Sequence, residues 1–191
     1  MEKVELNKDI KLSPHFTLGE LTKTKYVTAD GNIPSRVVIE NLIRVCGWLE
    51  ELRVLAGVRP QSKVCAGVRP QSKVAGDCTL APDPGAALDP GAAPSARKEV
   101  PIVINSGYRS PEVNQLAGGA TNSNHLTGCA VDIRCAGKEQ MIRYASILLD
   151  IADGSKQEYD ELLLEQHGSV CWLHFAVRPK ENRRIIRFLR V

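Results

Sequence analysis

The amino-acid sequence predicts an α+β fold, in which a small antiparallel sheet is flanked by helices within one domain spanning residues 1–191. An apolar stripe with helical spacing occupies the first part of the chain, and short segments with period-two alternation follow it. The composition, with 43% hydrophobic and 25% charged residues, is typical of a globular protein.

Two helices are expected near the N-terminus. Thr17 and Glu20 have the spacing of a capping box, which predicts that a short helix begins there. A long helix is expected from about Ser35 to Arg53, because apolar residues recur on one face with a 3.6-residue period. These residues are Val38, Leu42, Val45, Leu49 and Leu52.

Residues 56–99 differ sharply from the rest of the chain. The segment Ala56–Val64 is repeated at Ala66–Val74, and Asp83–Ala87 is repeated at Asp89–Ala93. These Gly-, Pro- and Ala-rich duplications cannot bury enough apolar surface to offset the loss of chain entropy. We therefore expect a flexible, low-complexity loop insertion within the single domain.

The second half of the chain is predicted to consist of strands and two helices. Ser110 and Pro111 have the N-cap and N1 preferences of a helix start. The predicted strands are Val100–Asn105, Cys129–Arg134, Glu161–Gln166, Cys171–Val177 and the edge strand Ile185–Val191, and the predicted helices are Ser110–Leu116 and Lys138–Ala152.

Two motifs carry the candidate chemistry. Ser106–Ser110 reads Ser-Gly-Tyr-Arg-Ser, and Ser123–Asp132 contains the spaced pattern Ser-x-His-x-x-Gly-x-Ala-x-Asp. Together with His174 they supply two imidazoles and one carboxylate, the ligand set of an open catalytic zinc site. The predicted ligands are His125, Asp132 and His174. Strand alternation places Asp132 and His174 on one sheet face, which His125 reaches from a polar loop.

These motifs resemble those of the zinc D-Ala-D-Ala carboxypeptidase family, peptidase family M15, and in particular its small bacterial and phage branch. The Phe-Thr-Leu-x-Glu-Leu segment at Phe16–Leu21 adds to the likeness. The resemblance implies a hedgehog/D,D-peptidase-like fold, a Zn²⁺ cofactor, and D,D- or L,D-type hydrolysis of peptidoglycan stem peptides. It also implies that Arg109 holds a substrate carboxylate or the polarised carbonyl. Ser123 would hydrogen-bond the substrate or orient His125, with a purely local loop cap as the alternative.

The sequence departs from the family pattern at the position of the general base. Many relatives place Glu three residues before the last His ligand, where this chain has Cys171. A four-residue turn at 167–170 would place Glu165 opposite Trp172, on the sheet face of His174. We therefore predict Glu165 as the catalytic base. Because a one-residue slip would reverse its face, Asp160 and Glu161 remain alternatives.

Two other classes of function stay open: a non-catalytic zinc-binding or cell-wall-binding module, and a structural zinc site with Cys129 or Cys171 as a fourth ligand. The small net charge of +3 does not indicate nucleic-acid binding, and no apolar run approaches the ~20 residues of a membrane span. We expect a monomer whose partner is a peptidoglycan peptide. The charged first residues show no signal-peptide pattern, so a wall-directed enzyme made in the cytoplasm would need another route out, such as lysis or a phage particle, and the localisation is left open.

Overall fold

The computed structural model describes residues 7–58 and 100–190, which form an α+β fold as predicted. Its helices are α1 (Leu18–Leu21), α2 (Arg36–Val58), α3 (Pro111–Leu116) and α4 (Lys138–Ser155), with a 3₁₀ turn at Asn124–Thr127. Its strands are β1 (Ile104–Ser106), β2 (Ala130–Cys135), β3 (Glu161–His167), β4 (Val170–Ala176) and β5 (Ile185–Arg190). The expectation of an insertion at 56–99 lies outside the described residues, except that 56–58 are helical.

Helix α2 is longer than the sequence pattern predicts. The expected end was Arg53, but the helix continues to Val58. Ala56 is buried, and its carbonyl accepts a hydrogen bond of 2.5 Å from Arg143 on α4. The packing of α2 against α4 therefore extends the helix beyond the apolar stripe that predicted it.

The five strands form one sheet in the order β1-β2-β4-β3-β5. All neighbours are antiparallel except β3 and β5, which are parallel, so the prediction of an antiparallel sheet is wrong for this edge. Strand β4 ends with Ala176 opposite Glu161, the first residue of β3. A chain that crosses from there to the outer side of β3 must run in the same direction as β3.

The two faces of the sheet have different roles. Helices α2 and α4 pack on one face, where Trp48 of α2 contacts Phe175 of β4 with ring centroids 5.2 Å apart. The apolar residues that alternate toward this core are Val131, Ile133, Leu162, Leu164, Leu173 and Phe175. Their neighbours in sequence therefore project from the opposite face, which carries the candidate site. No helix among the described residues has the length and apolar content required to cross a membrane.

Two glycines of the sequence motifs allow close backbone contacts beside the site. A Cβ on Gly107 would lie 2.3 Å from the carbonyl oxygen of Leu21. Gly128 has φ +69° and ends the 3₁₀ turn, and a Cβ there would lie 2.7 Å from the carbonyl oxygen of Val38. These two positions require glycine because side chains would push β1 and the turn away from α1 and α2.

Candidate metal centre

The three predicted ligands meet at the junction of the 3₁₀ turn with β2 and β4. Asp132 of β2 and His174 of β4 are directly opposed in the antiparallel register. His125 lies in the turn that leads into β2, and the Ser123 hydroxyl accepts a hydrogen bond of 3.3 Å from its backbone N–H. The motif therefore acts locally, because a capped turn followed by a strand brings a residue and its seventh successor together.

The donor atoms of these side chains converge on one point. Asp132 Oδ1 lies 3.2 Å from His125 Nε2 and 3.0 Å from His174 Nδ1. One ligand atom from each of the three residues falls within 4.8 Å of the other two, and all three residues are buried. Two nitrogens and one carboxylate oxygen at such separations form a donor set that suits zinc.

The tautomer of His125 follows from its other ring nitrogen. His125 Nδ1 lies 2.6 Å from the carbonyl oxygen of Gly107. A carbonyl can only accept, so Nδ1 carries a proton and the neutral ring presents a lone pair at Nε2. That lone pair points at a carboxylate oxygen, and a cation bound between the two atoms would turn this contact into an attraction. The residues therefore fit a metal ion.

His174 is held between two carboxylates. Its Nδ1 faces Asp132, whereas its Nε2 lies 3.5 Å from Glu161 Oε2 without an ordinary hydrogen bond. Burial alone lowers the pKa of His174, but the carboxylates of Asp132 and Glu161 outweigh it and raise the pKa to about 9. This ring is thus strongly attracted to positive charge, either a proton or a metal ion.

Asp132 is ionised in this setting. Burial raises its pKa, but His125 and His174 lower it further, and the net pKa is well below the usual value. Its second oxygen, Oδ2, accepts a hydrogen bond of 2.5 Å from Arg109 Nη2. Arg109 is itself oriented by a 2.8 Å hydrogen bond from its Nε to the Ser106 hydroxyl. The Ser-Gly-Tyr-Arg-Ser motif therefore places its guanidinium at the edge of the triad.

Glu165 lies on the sheet face that carries the triad. The register pairs Glu165 with Trp172 and Gln166 with Cys171, as the predicted turn requires. Glu165 is half-buried, and burial is the largest cause that raises its pKa. His174 opposes this rise, and Asp132 adds to it. Glu165 is thus a carboxylate in the electrostatic field of the triad whose proton affinity exceeds that of an ordinary glutamate.

Asp160, one of the two alternative bases, is enclosed by other side chains. It is fully buried, and Arg183 binds both of its oxygens through Nε at 2.8 Å and Nη2 at 2.7 Å. Arg178 Nη2 and Asn124 Nδ2 each lie 2.8 Å from its carboxylate. Because these donors surround its carboxylate, the environment of Asp160 suits a residue that stabilises the fold. The sequence patterns did not predict this cluster of Asp160 with Arg178, Arg183 and Asn124. The position of Asn124 directly before the predicted ligand His125 was the one hint in the sequence that it lies near the site.

Glu161, the other alternative base, lies beside the His174 ring on the side away from Asp132. Its Oε1 accepts from Arg183 at 2.6 Å, and its Oε2 accepts from Asn124 at 2.9 Å while facing His174 Nε2. Glu161 therefore approaches the ring nitrogen that points away from Asp132. This position suits a residue that orients His174.

The cysteines near the motifs belong to the core. Cys129 and Cys171 are buried. Cys171 is opposite Cys135 in the register of β4 and β2, and both side chains lie on the sheet face opposite His174 as free thiols. Among the described residues, the group of side chains that could hold a metal contains His125, Asp132 and His174 and no thiol. Cys171 therefore cannot replace the glutamate that relatives carry at that position, because its side chain projects away from the site.

A family model described as Peptidase M15 matches residues 91–157. This region of the chain is therefore similar to the peptidase M15 family. The matched region includes Arg109, His125 and Asp132, and it ends before β3 and β4, which contribute Glu165 and His174. A search of curated proteins found no match. This similarity favours a metallopeptidase that acts on a peptide, and the triad is a group of side chains in the described structure that could hold the metal.

Proposed function

We propose that this protein is a zinc-dependent peptidase of the M15 type that hydrolyses peptide bonds of peptidoglycan stem peptides. The observation that carries the proposal is the convergence of His125 Nε2, Asp132 Oδ1 and His174 Nδ1, with Arg109 held against the same carboxylate. Two of these ligands and Arg109 lie within the region that matches the family model.

The roles of the ligands follow from their environments. His125 would bind zinc through Nε2, because Nδ1 is occupied by the Gly107 carbonyl. His174 would bind through Nδ1, while Glu161 stabilises a proton on Nε2 and fixes the plane of the ring. When bound, zinc would supply Lewis-acid chemistry by polarising the scissile carbonyl and acidifying water.

The remaining steps use side chains beside the triad. Glu165 would accept a proton from the attacking water and then deliver it to the leaving amine, a task that its raised pKa favours. Arg109 would bind a substrate carboxylate or the oxygen of the scissile carbonyl through its planar set of donors. Ser123 would keep His125 in place by capping the 3₁₀ turn, so we assign it an orienting role.

The proposal is tested by incubating zinc-loaded protein with muropeptides of several wall chemistries and identifying products by mass spectrometry. We expect cleavage of one type of peptide bond. Glu165→Gln should still bind one zinc but lower kcat by about 10²–10⁴-fold, the usual contribution of a general base. Glu158→Gln, which removes a half-exposed carboxylate near Arg184, is the matched control.

The outcomes separate the candidate functions. Absence of cleavage by the wild type across these substrates would contradict the peptidase proposal. Binding of zinc and muropeptides without turnover would support a non-catalytic module instead. If cleavage occurs but survives Glu165→Gln, the assignment of the base is wrong and the peptidase remains.

A further inference from the structure

A cavity of about 510 Å³ lies beside the metal centre, on the β1 side of the sheet. Its walls are the loop after α1 at 23–26, the strand β1, and residues of α3. Arg109 lines this cavity and also donates to Asp132, so one guanidinium contacts both the cavity and the triad. Arg109 therefore lies at the boundary between the candidate metal centre and the cavity.

The charge of the cavity is one-sided. Four of its lining residues are cationic, namely Lys23, Lys25, Arg109 and Arg134, and none of the described residues that line it is acidic. Arg134 lies two residues after Asp132 on β2 and therefore projects from the same sheet face. The Lys25 ammonium lies 5.1 Å from the centre of the Tyr26 ring, which holds it at the rim.

We propose that this cavity is a subsite for the carboxylates of an acidic peptide substrate, which lie beyond the scissile bond. The proposal rests on the peptidase function and defines its substrate class further. The charge of Arg109 is offset by Asp132, so Lys23, Lys25 and Arg134 are the main source of a positive potential on this concave surface, which concentrates anionic ligands and orients them. Arg109 would lie at the boundary between the candidate metal centre and this subsite. Two of its nitrogens donate to Ser106 and Asp132, and its side chain also lines the cavity.

Peptide carboxylates fit this cavity better than a nucleic acid does. The net charge of the chain is only +3, which is not the strongly basic balance typical of nucleic-acid binding. The peptidase M15 match supplies a peptide substrate. Because Lys23, Lys25 and Arg134 are exposed, each contact should contribute modestly and be sensitive to salt.

The test compares two stem peptides that are identical except that side carboxylates are free in one and amidated in the other. We expect the wild type to favour the free acid by about tenfold in kcat/KM, mainly through KM, at low salt. The variant Lys23→Gln/Lys25→Gln/Arg134→Gln should lower kcat/KM for the free acid to the value for the amide. Lys138→Gln/Lys156→Gln/Lys180→Gln removes the same charge from exposed sites outside the cavity and should retain the preference.

Binding of the same peptides is measured by calorimetry, so that the result does not depend on turnover. If the free acid binds more tightly through these three residues and is not cleaved, the subsite stands and the peptidase proposal fails. An equal affinity for acid and amide, or an unchanged preference in the cavity variant, would overturn the subsite even if cleavage occurs. Tighter cavity-dependent binding of an oligonucleotide than of the acidic peptide would also overturn it.

Discussion

Two buried carboxylates, Asp132 and Asp160, have different surroundings. Asp132 is 8% exposed and contacts two imidazoles and one guanidinium. Asp160 is 0% exposed and contacts two guanidinium groups, one amide and a backbone N–H. Both are ionised, because their partners lower the pKa more than burial raises it.

The two carboxylates differ in the hydrogen-bonding and metal-binding capacity of the groups that surround them. Guanidinium and amide groups are permanent donors, so Asp160 is satisfied in one fixed state. Imidazole nitrogens can donate, accept or bind a metal, so the surroundings of Asp132 can be completed by a cation. Burial and charge alone would not distinguish these residues. The chemistry of the partners makes one a structural anchor and the other a candidate metal ligand.

The two carboxylates are also connected. Asn124 Nδ2 donates to Asp160 and to Glu161, and Asn124 directly precedes His125. Arg183 likewise binds both Asp160 and Glu161, and Glu161 faces His174. The Asp160 cluster thus provides a rigid frame against which the turn of His125 and the ring of His174 are placed.

Exchanging the acid for its amide at Asp132 should have the largest effect on function. Asp132→Asn removes a proposed ligand and the charge that offsets Arg109. Zinc affinity should therefore fall by more than about 100-fold, which exceeds the loss expected when a residue that only hydrogen-bonds to a ligand is replaced. The loss of peptidase activity should exceed the roughly 10²–10⁴-fold expected from loss of a general base. Chelator competition and muropeptide cleavage measure these quantities, and Asp160→Asn, compared while folded, should retain zinc.

Removal of the structural carboxylate should instead act on stability. Asp160→Ala leaves Arg178 and Arg183 without their buried partner, and the free energy of unfolding should fall by about 3 kcal/mol. Urea unfolding of the metal-free protein measures this change. Asp153→Ala, which removes an exposed partner of Arg184, should change the free energy by less than about 1 kcal/mol. Equal losses in the two variants would contradict the structural role of Asp160.

Glu161 connects the two regions, so its effect should be intermediate. Glu161→Ala removes the carboxylate behind His174 and should weaken zinc binding by about 10–100-fold. Glu161→Gln can still accept from Nε2 and should lose less. Ring ¹⁵N chemical shifts of His174 in the metal-free protein, followed against pH, provide a second readout, since loss of the Glu161 carboxylate should lower the pKa that it helps to raise. If affinity and shifts stay as in the wild type, Glu161 does not orient the ring.

The pH dependence of zinc affinity should show the smallest of these effects, and it should depend on His174 and not on Asp160. The His174 pKa of about 9 means that a proton must leave this ring before zinc binds below pH 9, so affinity should fall about tenfold per pH unit as the pH is lowered. Asp160, with a pKa of about 2, does not titrate in this range and should contribute nothing. Chelator competition at pH 7 and pH 8 measures the slope, and equal affinity at both values would contradict this assignment.

Local patterns were sufficient to predict much of the fold and which side chains would converge as candidate ligands. The capping signal at Ser110, the spacing of His125 and Asp132, and the pairing of Glu165 with Trp172 are all determined by short stretches of chain. The features that the sequence did not reveal depend on distant contacts. Strand β5 is parallel because of where β4 ends, and Asp160 meets Arg178 and Arg183 only after β3, β4 and the following loop have formed.

X-ray absorption spectroscopy of the zinc-loaded protein tests the central claim most directly, because it measures the identity and distance of the metal ligands. The structure predicts one zinc with nitrogen and oxygen neighbours at about 2.0–2.2 Å, and loss of bound zinc in Asp132→Asn. A sulfur neighbour at about 2.3 Å, or full zinc binding by Asp132→Asn, would contradict the assignment of His125, Asp132 and His174 as the ligands.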